Sequence, residues 1–263
     1  MKHKSIIIML FLLVSSLLFG RQSSFSINRE VTAFRDSGGP DDYGYTWKDS
    51  NEPGGPLFNW IDITSIGTPV HNYLSDDNNV GPFPMGFDFP YYWYLVNEFY
   101  VNSNGAISFS DPEVYVPQGS SGFFIPSTNQ PNDLLIPQGA DLSFEGDTAE
   151  CYYYTNNVDS FIISYINVPA WEVGGPYGAH TFQLLLTRED SCIYFQYGKQ
   201  EGPYCNNTYC AGIENVIGNV GLQVFYYTTP DSGYAVKFTP PDSTPYGALD
   251  IGIKDAISSG SKG

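Results

Sequence analysis

The chain has 263 residues and a formal charge of −17, from 28 acidic against 11 basic side chains. That excess repels the phosphate backbone a nucleic-acid binder must neutralise, so nucleic acid is excluded as a partner. With 21 Tyr, 18 Phe, 27 Gly and 19 Pro, the composition favours short strands punctuated by turns over helices.

At the N-terminus Lys2, His3 and Lys4 precede an apolar run that ends at Phe19 and is followed by Gly20. The run is shorter than the roughly 20 residues that span a bilayer and reads as a secretory signal peptide over residues 1–22. The mature chain is therefore expected outside the cell, secreted or at the cell surface, with no membrane insertion. Residues 23–42 read as a polar lead and 43–240 as one domain, a normal length for a single β-sandwich. Residues 241–263, ending in Ser, Gly and Lys, read as a linker or tail, the mark of a chain belonging to a larger multidomain protein.

Inside the domain, 45–47 and 58–63 read as short strands on either side of the loop Glu52-Pro53-Gly54-Gly55-Pro56. Strands at 99–101 and 106–109 flank Asn102-Ser103-Asn104-Gly105, where Asn-Gly accepts positive φ and closes a hairpin. Residues 111–139 are rich in Pro, Ser, Asn and Gly and read as a long connection offering a binding surface. Four runs at 151–155, 160–167, 180–187 and 192–198 form a meander, and strands at 220–228 and 234–239 follow. The expected fold class is all-β, an antiparallel, jelly-roll-like β-sandwich with long loops.

Cys151, Cys192, Cys205 and Cys210 make an even count in an exported chain, where disulfides are the default. Of three connectivities, Cys205 with Cys210 across the CNNTYC loop and Cys151 with Cys192 are preferred. Their spacing does not fit a zinc site. Asn206 begins an N-x-T sequon.

Signatures of chemistry are sparse. A Ser/His/acid triad needs His71 or His180 as its base, yet no GxSxG elbow is present, and both histidines read as structural or surface groups. HExxH, P-loop and strand-to-helix GxGxxG patterns are missing, so no cofactor is indicated. Asp141, Glu145 and Glu172 are the candidates for a glycosidase carboxylate pair, although neighbours of this kind arise by chance in so acidic a chain. Asp41-Asp42 and Asp76-Asp77-Asn78-Asn79 offer oxygen ligands suited to a structural calcium, without EF-hand spacing, and read first as turns. Trp47, Trp93 and Trp171 lie near loops and are the candidate ligand-contact rings, set against the reading that they fill the core.

Four segments carry a resemblance when taken in order: NEFYVNSNGAISFS, LLIPQGADLSF, CYYYT and HTFQLLLTREDSCIYFQYG. Together they make the chain similar to the nidogen-type (NIDO) extracellular domain, in the version found in large bacterial secreted or surface proteins. In one departure, Gln138 and Gly139 follow Pro137 where the family usually places an aromatic pair, just before Asp141. The resemblance implies a β-sandwich-like fold used in matrix or surface adhesion, with no catalytic centre to carry over. The expected function is a non-catalytic extracellular binding or adhesion module for a glycan or a protein. The alternatives are a polysaccharide- or protein-hydrolase domain, catalytic or accessory, and a structural spacer in a larger surface protein.

Overall fold

The computed structural model describes residues 37–110, 124–171, 175–202 and 209–243. The expected signal peptide, most of the lead and the tail, Glu172, Cys205 and the Asn206 sequon lie outside the described residues. Those described fall in one compact unit.

The strands, in chain order, are β1 (Ser37–Gly38), β2 (Thr46–Asp49), β3 (Thr68–Pro69), β4 (Asn79–Tyr91), β5 (Tyr94–Asn102), β6 (Ile107–Ser108) and β7 (Leu134–Gly139). They continue as β8 (Glu150–Thr155), β9 (Ser160–Ala170), β10 (Tyr177–Thr187), β11 (Cys192–Glu201), β12 (Cys210–Glu214), β13 (Gly221–Tyr226) and β14 (Tyr234–Thr239). An eight-stranded sheet runs β1-β2-β14-β11-β10-β9-β8-β3 and a six-stranded sheet β13-β12-β7-β6-β5-β4. All the pairings are antiparallel, and the two sheets form a sandwich, as expected.

Alternation explains the core. Phe161, Ile163 and Tyr165 of β9, Phe182, Leu184 and Leu186 of β10 and Ile193, Phe195 and Tyr197 of β11 are all fully buried on the inner face. Across the sandwich they meet β4 and β5, with the Phe99 and Phe161 rings 4.6 Å apart and tilted edge to face. Tyr165 donates its hydroxyl to the Asn102 carbonyl at 2.9 Å, and Tyr197 donates to Pro137 at 2.7 Å. The inner tyrosines thus bury their rings while their polar tips find backbone of the opposite sheet.

Both outer faces are partly covered. On the eight-stranded sheet, Ser164, Gln183 and Gln196 stand side by side across three strands. Gln183 donates to the Ile61 carbonyl at 2.8 Å and Gln196 accepts the Asn59 amide, so residues 58–63 lie crosswise as an extended strap. These residues read as a strand in the sequence. They pair with side-chain amides instead, and Ile61 and Ile63 pack on Ile162 and Leu185. On the six-stranded sheet, a flap over residues 124–133 covers a small second core of Ala106, Ile125, Leu134, Ile136 and Cys210.

Three further expectations are corrected. Residues 134–139, read as part of the long connection, form β7 near the centre of the six-stranded sheet and are completely buried. Ser37–Gly38, placed in the polar lead, forms β1 and pairs with β2. The Cys151–Cys192 bridge does not form: both thiols are free and buried, with β9 and β10 between their strands. Strands lie about 4.8 Å apart, whereas disulfide Cα atoms must come within roughly 7 Å, so three strand spacings are too many. Cys210 is likewise a buried free thiol, and its expected partner lies outside the described residues.

Candidate functional site

Register separates the sandwich into two ends. At the upper end Tyr177 lies opposite Ala170, Glu201 opposite Ala179 and Cys210 opposite both Gly139 and Tyr226. At the lower end Thr187 lies opposite Ser160 and Cys192, and Glu214 opposite Leu134.

The upper end is organised around the Asn102–Gly105 turn. Gly105 has φ +81°, and a Cβ there would collide with the Gln138 carbonyl, so the sequence needs glycine at this position. Asn104, although in a turn, is 1 % exposed. Its side chain donates to Asp77 at 2.8 Å and accepts the Leu142 amide at 2.8 Å, tying the acidic loop to the segment after β7. Ser103 donates to the Asp76 carbonyl and accepts the Asn78 amide. Burial raises the Asp76 carboxyl, opposed by a bond from Ser143 and helped by Asp77 and Glu145. The loop offered for calcium is therefore knitted into the turn. Asp41, in the other such loop, accepts the Tyr43, Gly44 and Tyr45 amides with Oδ1. Among the described residues, no group of three His, Cys, Asp or Glu is arranged to hold a metal ion.

Exposed aromatic rings mark this same end. The four among the described residues are Tyr73, 67 % exposed, Tyr177, 61 %, Phe124, 57 %, and Tyr227, 43 %. Tyr73 sits beside the acidic loop, its carbonyl accepting from Asn78. Tyr177 lines a cleft of about 320 Å³ with Gly178, Ala179, Lys199 and Glu201. Lys199 and Glu201 pair across it, and the ammonium holds the Glu201 carboxyl below its usual range. Phe124 stacks on Tyr226 at 4.3 Å, and Tyr227 meets Tyr226 edge-on at 4.2 Å. The bond with Tyr227, followed by burial, pushes the Tyr226 hydroxyl up to about 12. Tyr227 has φ +56°, a conformation that costs a non-glycine residue free energy.

Two other clefts are lined by Pro84, Phe87, Asp88 and Glu98 and by Asp190, Cys192 and Lys237. In the first Asn97 already donates to Asp88 at 2.9 Å, and in the second Lys237 lies 3.5 Å from Asp190. Neither presents an exposed ring.

The candidate tryptophans separate. Trp171 follows β9 at the upper end, half-buried, its amide donating to the Asp141 carbonyl at 2.9 Å. Trp93 is half-buried at the lower end against Tyr43, ring centres 4.7 Å apart. Trp47 is only 4 % exposed and belongs to the main core, so its place as a ligand contact is corrected: it points inward from β2. Asp141 is buried and Glu145 exposed. His71 Nδ1 is 3.2 Å from the Cys151 carbonyl, and buried His180 Nδ1 is 3.2 Å from Gln200 Oε1, positions inside the scaffold. Tyr73, Tyr177, Phe124 and Tyr227 escaped the sequence reading because the chain has 21 tyrosines and 18 phenylalanines, and nothing local separates an outward ring from an inward one.

A search of curated proteins and a search of solved structures each return no match. A NIDO-related family profile matches residues 56–245, from the start of the strap to just beyond β14. That span takes in the meander, the Asn102–Gly105 turn and all four exposed rings, and the chain belongs to the NIDO-related family.

Proposed function

We propose that the protein is an exported, non-catalytic binding or adhesion module whose upper end contacts a glycan or an extracellular protein. The observation that carries this reading is the placing of every exposed aromatic ring among the described residues at one end of the sandwich. Exposed rings next to polar groups suit recognition, because they bury large area at small entropic cost when a ligand covers them. The cleft beside Tyr177 has one lining carboxylate, Glu201, held by Lys199, which favours binding over the paired-carboxylate hydrolysis of the alternative reading. Membership of the NIDO-related family is in keeping with an extracellular role, and the signal-like N-terminus with export.

The test is a glycan and matrix-protein array probed with the mature chain, with and without calcium. Tyr177→Ser, Tyr227→Ser and Phe124→Ser should each weaken the captured ligand on the order of tenfold, about 1.4 kcal/mol, without changing the thermal midpoint. Binding untouched by all three substitutions would sink the assignment to this end. Ligand turnover abolished by Asp141→Asn or Glu145→Gln would establish the hydrolase alternative.

A further inference from the structure

At the lower end the flap over residues 124–133 is fastened through a buried acid. Glu214, the last residue of β12, is 0 % exposed, and its Oε2 accepts the Ser127 amide of the flap at 2.9 Å. Its other oxygen, Oε1, is buried without a hydrogen-bond donor. A second buried carboxylate, Asp133, at the end of the flap, adds its repulsion to the burial cost. Asp133 sits at φ +64°, accepts the Tyr94 hydroxyl at 2.6 Å and donates its amide to the Asn215 carbonyl at 3.0 Å. Tyr94 in turn accepts the Val216 amide at 2.9 Å. One small cluster thus joins the flap, the β12–β13 turn and the β4–β5 hairpin.

We propose that Glu214 is a proton latch: protonated, it holds the flap on the six-stranded sheet, and on ionising it lets the flap open and uncovers the second core. Two adjacent carboxylates sealed from water cannot both carry charge at acceptable free energy. The other titratable groups facing the pair are Tyr91 from β4, whose hydroxyl lies 2.8 Å from the Glu214 carbonyl, Tyr94 from β5 and Cys210 from β12 itself. No basic side chain among the described residues acts on Glu214. Burial keeps the Tyr91 hydroxyl and the Cys210 thiol neutral well beyond neutrality, leaving Glu214 to respond. Burial, opposed by the Ser127 amide bond and helped by Asp133, pushes Glu214 up to about 8. The cost of a sealed charge outweighs the stronger amide bond an ionised carboxylate would make, so the latch works around neutral to mildly alkaline pH. The flap opens before the sandwich because Ile125 is its one contribution to the second core, whereas the main core is built from both sheets.

Hydrogen exchange read by mass spectrometry on the full chain, corrected for intrinsic exchange, tests this between about pH 5.5 and about pH 9. In the wild type, protection of the flap should fall by about tenfold or more across that range while β9 and β10 stay constant. Glu214→Gln should give flap protection independent of pH, and Asp133→Asn should move the wild-type transition to lower pH. Flat wild-type protection, or an equal fall in Glu214→Gln, would overturn the latch. If Glu214→Gln does not fold, Asp133→Asn decides, and a transition left at the wild-type pH refutes the proposal.

Discussion

The two ends of the sandwich use the same residue type in opposite ways. At the lower end Tyr43, Tyr45, Tyr91 and Tyr92 are buried against one another and against Trp93, with centroid separations from 4.7 to 6.2 Å. At the upper end Tyr73, Tyr177 and Tyr227 stand in solvent. The lower rings belong to the main core, so each hydroxyl must find a partner inside. Tyr91 does so with its Oη 2.8 Å from the Leu134 and Glu214 carbonyls. Tyr177 and Tyr227 sit where strands run out into loops and Tyr73 in a short 3-10 helix, all exposed among the described residues. Among the described residues, the exposed tyrosines thus lie at the upper end, while the tyrosine cluster at the lower end is buried.

That contrast can be broken by mutation. The largest effect should come from Tyr91→Ala, which removes a fully buried ring and the one hydroxyl proton shared by the Leu134 and Glu214 carbonyls; a loss of about 3–5 kcal/mol in urea unfolding is expected. Nearly as large is the pH response of Glu214. Unfolded, this carboxyl ionises near 4.5, and folded near 8. Between those values the folded chain keeps a proton the unfolded chain has lost, so stability falls as pH rises through the window and is level on either side. The drop should be roughly 3–5 kcal/mol in chemical denaturation, and Glu214→Gln should erase the slope.

At the upper end the scaffold beneath the rings can be probed in both directions. Asn104→Ala deletes the ties to Asp77 and Leu142 and should cost about 2–3 kcal/mol. Gln138 is fully buried, and neither its Oε1 nor its Nε2 finds a hydrogen bond. Gln138→Met keeps the volume and removes the unmet polar atoms, so the thermal midpoint should rise, with a gain of about 1–2 kcal/mol. Smallest of all, Tyr177→Ser should change stability by less than about 0.5 kcal/mol. A larger loss there would mean that the ring is structural and would erase the distinction between the ends.

Much of the fold was legible where strand-length runs are bounded by clear turns. The runs in β9, β10, β11 and β14 were found within a few residues, because HTFQLLLT and its neighbours are stretches rich in β-branched, aromatic and aliphatic residues between turn residues. β7 and β12 were hidden. LLIPQG and CAGIE are buried on both faces, one by the sandwich and the other by the flap, so they show no alternation and their Pro and Gly read as loop. The strap failed in the other direction. FNWIDI has the strand pattern, but the face it meets offers glutamine side chains in place of a neighbouring backbone. Of the candidate rings, Trp171 lies half-buried at the upper end, while Trp47, equally loop-adjacent in sequence, lies in the core.

Local chemistry alone determined that this chain builds antiparallel strands, where its Asn-Gly turn falls and that it is strongly acidic, because strand-forming composition, turn preference and charge are properties of the residues themselves. Only the tertiary structure decided which tyrosines are core and which are surface, that Cys151 and Cys192 stay apart, and that Glu214 faces Asp133. Each of these depends on strand order and register, which bring together residues far apart along the chain.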